Sequence, residues 1–450
     1  MIDFNRRFLV AGLGESGLAM ARWLTREGAQ VVAADSRANP PGRDALRRSC
    51  PELPVETGPF RAPSFAQAEI IALSPGIDPK TLPPTEARFV SEIDLFMDAI
   101  KRYAPASRTL AITGSNGKTT TTALTAHLLN SAGIFAVACG NISPSLLDAF
   151  MAAQDNQTFP AVWVMELSSF QLETAQSLDF SAAALLNLSE DHLDRYDGDI
   201  ERYAAAKARI FQGGAKRLLN REDAFCHRLL TPEADIFGLD APARTQDAGF
   251  DGTHLIVDGK PLLAATDLPL TGLHNVANAL SSLLLCRAIG VAPARLVPGL
   301  KTFCGLPHRM EFVADIDGVR AIDDSKGTNV GATLAAIAGA GAPVAVLLGG
   351  DGKGQDFSPL AGALAAHGRA AAVIGKDAAK IAALIAPCGI PVCRFAAMDS
   401  AVAWLFGECQ KGDVLLLSPA CASWDMYRDY AHRAEVFRAA IHKLQEEAKA

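Results

Sequence analysis

TLAITGSNGKTT, residues 109–120, joins an apolar run to a glycine-rich turn. The run TLAIT predicts a buried parallel strand, and the residues from Thr120 to about Ala132 predict a helix that ends at Gly133. Backbone N–H groups at such a turn converge on an anion, and the helix dipole adds positive charge there. The stretch therefore predicts a strand–turn–helix unit with a phosphate site at its turn.

Two side chains of this turn suit a bound nucleotide. Lys118 supplies a full positive charge, and Thr119 offers a hydroxyl where a phosphate-bound Mg²⁺ would lie. The usual phosphate-loop pattern has Gly at the position of Ile112, so TGSNGKTT is a variant of it. An ordinary glycine turn that carries Lys-Thr by chance is the alternative. The flanking strand and helix favour the phosphate site.

The composition excludes several classes of partner. The chain has 450 residues and a formal charge of −7, from 42 basic and 49 acidic side chains without a long basic run. This length predicts two or three domains, and the charge argues against nucleic acid or an anionic membrane as partner. The nine cysteines are scattered without a C-x-x-C pair, and the N-terminus lacks the apolar core of a signal peptide. We therefore expect a cytoplasmic protein with reduced thiols and no membrane segment.

A dinucleotide fingerprint lies near the N-terminus. Residues 8–35 predict a strand, the turn Gly12-x-Gly14-x-x-Gly17, a helix and a second strand that ends at Asp35. Alone, this pattern suggests an NAD site, although it reports only a βαβ unit whose helix faces a phosphate. A strand at 70–74 follows, and residues 81–99 predict a helix.

Polar residues follow three apolar strands in the middle of the chain, at 135–139, 161–165 and 182–186. The carboxyl ends of parallel strands form the ligand-binding edge of an open α/β sheet. Glu166 is placed there to ligate Mg²⁺, with a solvated acid as the alternative. His192 and Lys207, taken singly, would be ordinary polar residues.

The last third of the chain alternates strands and helices and predicts another Rossmann-like sheet after a boundary at 305–309. Two of its turns, 323–329 and 349–354, hold opposite charges. Such turns suit an anionic small molecule, or are ordinary helix caps.

The combined motifs resemble those of the Mur ligases of peptidoglycan synthesis, and among these the branch that adds D-glutamate. They cover nearly the whole chain in family order: GLGESG, SPGI, TGSNGKTT, GNI, ELSSFQLE, LSEDHLDRY, AAKARIF, GLHNVANA, GLPHRME, DDSKGTN, GGDGKGQDF and SPACASWDMY. DSKGTN, GGDGK and SPACAS are the motifs that distinguish the D-glutamate branch.

The resemblance implies three α/β domains, each on a mostly parallel sheet with flanking helices. These are a Rossmann-like domain for a UDP-linked substrate (1–100), a central ATP-binding P-loop domain (101–304) and a Rossmann-like amino-acid domain (305–450). It also implies an ATP-dependent amide bond between UDP-N-acetylmuramoyl-L-alanine and D-glutamate, formed through an acyl phosphate by a monomeric enzyme. Another Mur-type amino-acid ligase, an NAD-dependent oxidoreductase and a P-loop switch are the alternatives.

The resemblance also implies the site residues. Those for the UDP-linked substrate are Ser16, Asp35, Arg37, Ser74, Gly76 and Asn141. Those for ATP are Gly114, Ser115, Asn116, Gly117, Lys118, Thr119, Thr120, Asn278, Arg309 and Asp324. Those for D-glutamate are Thr328, Lys353, Ser423 and Tyr430. Two Mg²⁺ ions would be held by Thr119, Glu166, His192 and Lys207, the last as a carbamate, and the catalytic group would be Lys118, Glu166, His192 and Lys207.

Overall fold

The structure is a computed structural model that describes residues 1–270 and 272–447. It contains three sheets in succession along the chain, each mostly parallel and covered by helices. This is the three-domain α/β fold that the sequence predicts. Over the described part of the chain, no helix combines the length and the apolar character needed to cross a membrane.

The N-terminal sheet has five parallel strands. Its elements are β1 (Arg7–Ala11), α1 (Glu15–Arg26), β2 (Gln30–Asp35), α2 (Arg43–Ser49), β3 (Val55–Thr57), α3 (Ala62–Gln67), β4 (Ile70–Leu73), β5 (Arg88–Val90) and α4 (Glu92–Tyr103). The spatial order is β3-β2-β1-β4-β5. The helix predicted over 81–99 is confirmed only from Glu92 onward, because residues 88–90 pair with β4 as an edge strand. Helix α4 begins only after Ser91, which forms a capping box with Asp94.

The central sheet has nine strands. Its elements are β6 (Arg108–Thr113), α5 (Lys118–Ser131), β7 (Ala136–Gly140), α6 (Leu146–Asp155), β8 (Val162–Glu166), α7 (Ser169–Thr174), β9 (Ala182–Leu185), α8 (Ile200–Ala208), β10 (Lys216–Asn220), α9 (Ala224–His227), β11 (Asp235–Phe237), β12 (Ala248–Phe250), β13 (His254–Val257), β14 (Lys260–Ala264), α10 (Leu273–Ala288) and α11 (Val297–Thr302). The order is β14-β13-β12-β11-β10-β9-β6-β8-β7, and β13 is antiparallel to both of its neighbours, β12 and β14. Strand β6 lies between β9 and β8, so the loops after all three strands meet at one edge.

The C-terminal sheet has six strands. Its elements are β15 (Glu311–Ile316), β16 (Val319–Asp323), α12 (Val330–Gly339), β17 (Val344–Gly349), α13 (Pro359–His367), β18 (Gly368–Ile374), α14 (Ala378–Ile385), β19 (Val392–Arg394), α15 (Met398–Glu408), β20 (Val414–Leu417) and α16 (Tyr430–Glu447). The order is β15-β16-β20-β17-β18-β19, with β15 antiparallel to β16. The alternation of strands and helices predicted for this part of the chain is present from β16 to β20, and the edge strand β15 was not predicted.

The first two sheets share one hydrophobic core. Phe150 on α6 packs against Trp23 of α1 at 5.5 Å between ring centroids and against Phe96 of α4 at 6.0 Å. Phe96 also contacts Trp163 of β8 at 5.3 Å. Among the described residues, the core clusters of the C-terminal sheet draw only on residues from 310 onward. The C-terminal domain therefore has hydrophobic cores of its own.

Candidate active site

The phosphate loop has the backbone that its glycines allow. Gly117 has a φ of +82°, and a Cβ there would lie 2.5 Å from Asn278 Oδ1. Lys118 opens α5, and its Nζ donates to the carbonyl oxygens of Gly114 at 2.9 Å and Ser115 at 2.8 Å. The ammonium group therefore lies over the loop, where the phosphates of a nucleotide would bind.

The segment after β9 holds the loop in place. Asn187 accepts the Ser115 N–H on its carbonyl oxygen and the Asn116 N–H on Oδ1, both at 2.9 Å. Ser115 Oγ donates to the Ser189 carbonyl at 2.9 Å and lies 3.1 Å from the Tyr203 hydroxyl. Asn187, Ser189 and Tyr203 were not among the predicted site residues. Asn187 and Ser189 could have been predicted from their position directly after an apolar strand, whereas Tyr203 has no such signal.

Glu166 ends β8 beside the loop. Its Oε1 accepts a hydrogen bond from Asn141 Nδ2 at 2.7 Å, and the residue is 2% exposed. Its Oε2 is buried and has no hydrogen-bond partner among the described residues. Burying a carboxylate oxygen without a hydrogen-bond partner costs free energy, and such an oxygen is the kind of ligand that Mg²⁺ prefers. The residues present therefore fit a hard cation at this point.

Lys207 on α8 is buried, with only 1% of its surface exposed. Its Nζ donates to the Gly114 carbonyl at 2.8 Å and lies 4.6 Å from the centre of the Tyr203 ring. Burial, with the added charge of Lys118, holds the pKa of Lys207 far below its ordinary value. Burial thus disfavours the charged form of this side chain.

His192 and Asp191 face the same space. Burial lowers the pKa of His192, whose Nε2 lies 3.5 Å from Asp191 Oδ2. Lys353 of the C-terminal domain lies across from them, with its Nζ 3.5 Å from Asp191 Oδ1. The three side chains form a polar junction between two domains.

The C-terminal domain approaches the loop at other points as well. Arg309 Nη2 donates to Thr119 Oγ1 at 2.7 Å, and Asn329 Nδ2 donates to Asn116 Oδ1 at 3.0 Å. A Cβ on Gly331 would lie 3.0 Å from Asn116 Nδ2. The domain is therefore closed against the phosphate loop.

Two cavities flank the loop. One of about 640 Å³ runs from Ser16, Arg37 and Ser74 of the N-terminal domain to Lys118 and Lys207. The other, of about 610 Å³, lies on the opposite side, between the central and C-terminal domains. Its walls include Asn116, Gly117, Thr120, Asn278, Arg309 and Asp324. Two separate ligands would therefore lie on either side of the phosphate loop, with Lys118 in the wall of the first cavity.

Asp35 lies at the far end of the first cavity and is 2% exposed. Its Oδ2 accepts the Leu13 N–H and Arg37 Nη2, both at 2.7 Å. Burial alone would raise the pKa of Asp35, but the hydrogen bonds from Arg37 and Leu13 outweigh it and lower the pKa. The carboxylate thus fixes the glycine loop and directs Arg37 along the cavity rim.

Asp324 lies in the second cavity and accepts Ser418 Oγ at 2.7 Å. Burial raises its pKa to about 7. Lys326, two residues on, places its Nζ 3.7 Å from the centre of the Tyr430 ring, and burial lowers its pKa to about 8. Lys326 was not predicted as a site residue, although the motif DSKGTN contains it.

The four residues predicted for D-glutamate lie in the C-terminal domain, and none of them lines either of these two cavities. Ser423 is 1% exposed, and its Oγ has no hydrogen-bond partner within the described ranges. Lys353 is the one that reaches the central domain, through Asp191. The structure brings Lys353 to the junction, whereas Thr328, Ser423 and Tyr430 line neither cavity.

Comparison with known proteins identifies this combination of domains. Residues 6–88 match the family described as Mur ligase MurD-like, N-terminal domain, residues 112–286 match the Mur ligase middle domain, and residues 308–421 match the Mur ligase glutamate ligase domain. A UDP-N-acetylmuramoylalanine–D-glutamate ligase of Dechloromonas aromatica is 57% identical over 98% of this chain and 99% of its own. The enzyme of that name from Aromatoleum aromaticum is 49% identical over 98% of both chains.

Solved structures show the same fold at low identity. The UDP-N-acetylmuramate-alanine ligase of Thermotoga maritima aligns over 98% of this chain and 100% of its own, with a TM-score of 0.62 and 18% identity. A pseudomurein peptide ligase of Methanothermus fervidus aligns over the same shares with a TM-score of 0.61 and 17% identity. With three matched domains in the family order and close relatives over its whole length, the chain belongs to the Mur ligase family.

Proposed function

We propose that this protein is an ATP-dependent ligase that joins D-glutamate to UDP-N-acetylmuramoyl-L-alanine. The observation that carries the proposal is the pair of cavities on either side of the phosphate loop. The first reaches the N-terminal domain and is lined by Lys118, and the second reaches the C-terminal domain and is lined by Gly117 and Thr120. Relatives that are 57% and 49% identical over nearly the whole chain carry the name of this reaction. The second cavity would hold ATP and the first the UDP-linked substrate.

The reaction needs a carboxylate and a triphosphate to meet in spite of their like charges. The L-alanyl carboxylate oxygen attacks the γ-phosphorus, the bond to the β-phosphate oxygen breaks, and ADP leaves. Lys118 and Arg309 lie beside the loop where negative charge develops, and such preorganised cations lower the barrier. Bound Mg²⁺, held by Thr119 and Glu166, would neutralise further phosphate charge.

The amino group of D-glutamate then attacks the carbonyl carbon of the acyl phosphate. The amine loses a proton, the C–O bond to phosphate breaks, and inorganic phosphate leaves. Closure of the C-terminal domain, seen in the Arg309–Thr119 and Asn329–Asn116 contacts, would keep water from the acyl phosphate.

Lys207 would serve this site as a carbamate. An ammonium group cannot ligate a cation, whereas a neutral amine reacts with CO₂ to give a carbamate and a proton. The carbamate has two oxygens and one negative charge, which suits a second Mg²⁺ shared with His192. The burial of Lys207 and its lowered pKa support this proposal.

The N-terminal domain would bind the uridine nucleotide rather than NAD. Ser16, Arg37, Ser74, Gly76 and Asn141 line the first cavity. Asp35, which an NAD site would use for the ribose, is already engaged by Leu13 and Arg37. A tight NAD complex without uridine nucleotide binding, measured by calorimetry, would favour the oxidoreductase instead.

D-Glutamate would bind to the C-terminal domain through Thr328, Lys353, Ser423 and Tyr430. Lys353 supplies a cation for a carboxylate, and Ser423, whose hydroxyl has no partner among the residues described, supplies a buried donor. The enzyme would act as a monomer in the cytoplasm, where ATP and nucleotide-linked precursors are found.

The experiment is phosphate release by the purified protein with ATP, Mg²⁺ and UDP-N-acetylmuramoyl-L-alanine, against a panel of D- and L-amino acids. We expect turnover with D-glutamate and at most trace turnover with the others. Turnover with L-alanine, L-lysine or diaminopimelate would assign the chain to another branch of the family. ATP hydrolysis that needs no amino acid would favour a P-loop switch.

A further inference from the structure

Three side chains of the C-terminal domain form a group that resembles a metal site. The ligand atoms of His308, Glu311 and Asp323 lie within 4.8 Å of one another. His308 Nδ1 lies 2.8 Å from Asp323 Oδ2, and Glu311 Oε2 accepts the His308 N–H at 2.8 Å. Imidazole and carboxylate groups at this spacing suit a divalent cation.

Arg438 of α16 already supplies a cation there. Its Nη2 lies 2.5 Å from Glu311 Oε2 and 3.1 Å from Asp323 Oδ2, and its Nε donates to Asp323 Oδ2 at 3.1 Å. Strand pairing places Glu311 directly opposite Asp323, and like charges in that relation destabilise a sheet. The guanidinium bridges both carboxylates, so this group is an arginine clamp rather than a metal site.

The clamp, formed by Arg438, Glu311, Asp323 and His308, holds the turn that carries Arg309. His308 and Met310, on either side of it, have φ values of +61° and +49°. Left-handed backbone is unfavourable for an L-residue, so this turn needs support from its surroundings.

Both flanking residues receive that support. The two carboxylates of the clamp hold His308 by its backbone N–H and its ring. The N–H of Met310 donates to Asp324 Oδ1 at 3.3 Å. Arg309 leaves this fixed turn and reaches Thr119 of the phosphate loop.

We infer that Arg438 is a positioning residue for nucleotide binding, because it fixes the turn from which Arg309 crosses to the phosphate loop. Arg438 lines neither of the two cavities at the loop and acts through its neighbours. The inference rests on the proposed function, in which Arg309 contacts the phosphates of ATP.

The test measures the Kd of a non-hydrolysable ATP analogue with Mg²⁺, by calorimetry, for the full-length protein and its variants. Arg438→Ala should raise this Kd about tenfold, which is within the range of coupling between contacting groups. The Kd of the UDP-linked substrate should stay within about twofold, because the first cavity does not contact the clamp. Lys443→Ala is the control, since it removes an exposed cation from the same helix.

Two further variants separate positioning from a general loss of structure. Arg438→Lys keeps the charge without the bridging fork and should give an intermediate Kd, so it carries the test where Arg438→Ala does not fold. In an Arg309→Ala background, Arg438→Ala should add no further loss of nucleotide affinity. A merely structural role would weaken binding equally in both backgrounds.

Three results would overturn the inference. One is wild-type nucleotide affinity in Arg438→Ala, and another is a full additive loss in the Arg309→Ala background. The third is a stoichiometric divalent metal that survives dialysis of the parent and is lost from His308→Ala. Each of these three results leaves the proposed nucleotide site standing. A fourth result, an unchanged nucleotide Kd in Arg309→Ala, would contradict both the proposed nucleotide site and the inference about Arg438.

Discussion

Replacing Lys118 by alanine should nearly abolish ligase turnover while leaving the fold intact. Lys118 Nζ is held over the loop by the Gly114 and Ser115 carbonyls, so its charge is preorganised for a phosphate. Two unit charges about 4 Å apart interact by roughly 4 kcal/mol at an effective dielectric constant of about 20. Removal of one such preorganised contact typically costs about 100- to 1,000-fold in kcat. We expect a loss of that size.

The assay is phosphate release at saturating UDP-linked substrate and D-glutamate, with Tm measured on the same samples. Burial lowers the pKa of Lys118, which means that the folded state disfavours its charge, so the variant should melt no lower than the parent. Lys260→Ala, which removes an exposed lysine of the same domain, is the control. Turnover of Lys118→Ala within tenfold of the parent would refute the assignment of the phosphate site.

Three further predictions follow from buried or close-packed residues. Burial raises the pKa of Glu92 from 4.5 to about 7. Between these two pH values the folded protein keeps the Glu92 proton and the unfolded chain has lost it, so stability should fall as the pH rises through this range. In the parent, the free energy of unfolding should decrease by on the order of 3 kcal/mol between pH 5 and pH 8, and in Glu92→Gln this decrease should be absent. Denaturant titration at the two pH values measures it, and the same pH dependence in both proteins would contradict the prediction. Lys207→Ala should lose at least about 100-fold in kcat and should regain part of this activity when acetate or formate is added. If no short carboxylate restores phosphate release, the result counts against the carbamate. Gly331→Val should hinder closure, because a Cβ at residue 331 would lie 2.9 Å from Ser189 Oγ, and it should lower kcat without changing the Kd of the UDP-linked substrate. Gly362→Ala is the control, since the space around its Cβ is open, and equal kcat values for the two variants would refute this prediction.

Local patterns predicted the parts of the fold in which each element carries its own signal. The strand, turn and helix around the phosphate loop were found as β6 and α5, because apolar runs and glycines mark them within a few residues. The strands β5 and β15 were not predicted. β5 has only three residues, and it forms because it pairs with β4. The local sequence, which is rich in proline just before β5, gives no sign of this pairing.

The candidate site divides in the same way. Lys118 and Glu166 were predictable, since a motif or a strand end places each of them. The approach of Arg309 to Thr119 joins residues 190 positions apart, and that of Lys207 to Gly114 joins residues 93 positions apart. Sequence near Lys207 resembles an exposed alanine-rich helix, so its burial could be inferred only from family resemblance. Domain closure and burial are products of tertiary packing and leave no mark in the local pattern.

In the proposed reaction, ATP activates the L-alanyl carboxylate as an acyl phosphate. The most direct measurement is the fate of ¹⁸O placed in that carboxylate of UDP-N-acetylmuramoyl-L-alanine during one turnover with ATP and D-glutamate. The acyl-phosphate route predicts that one labelled oxygen leaves with each inorganic phosphate, detected by mass spectrometry, while the amide keeps the other. Phosphate without label, formed together with the amide product, would contradict the claim.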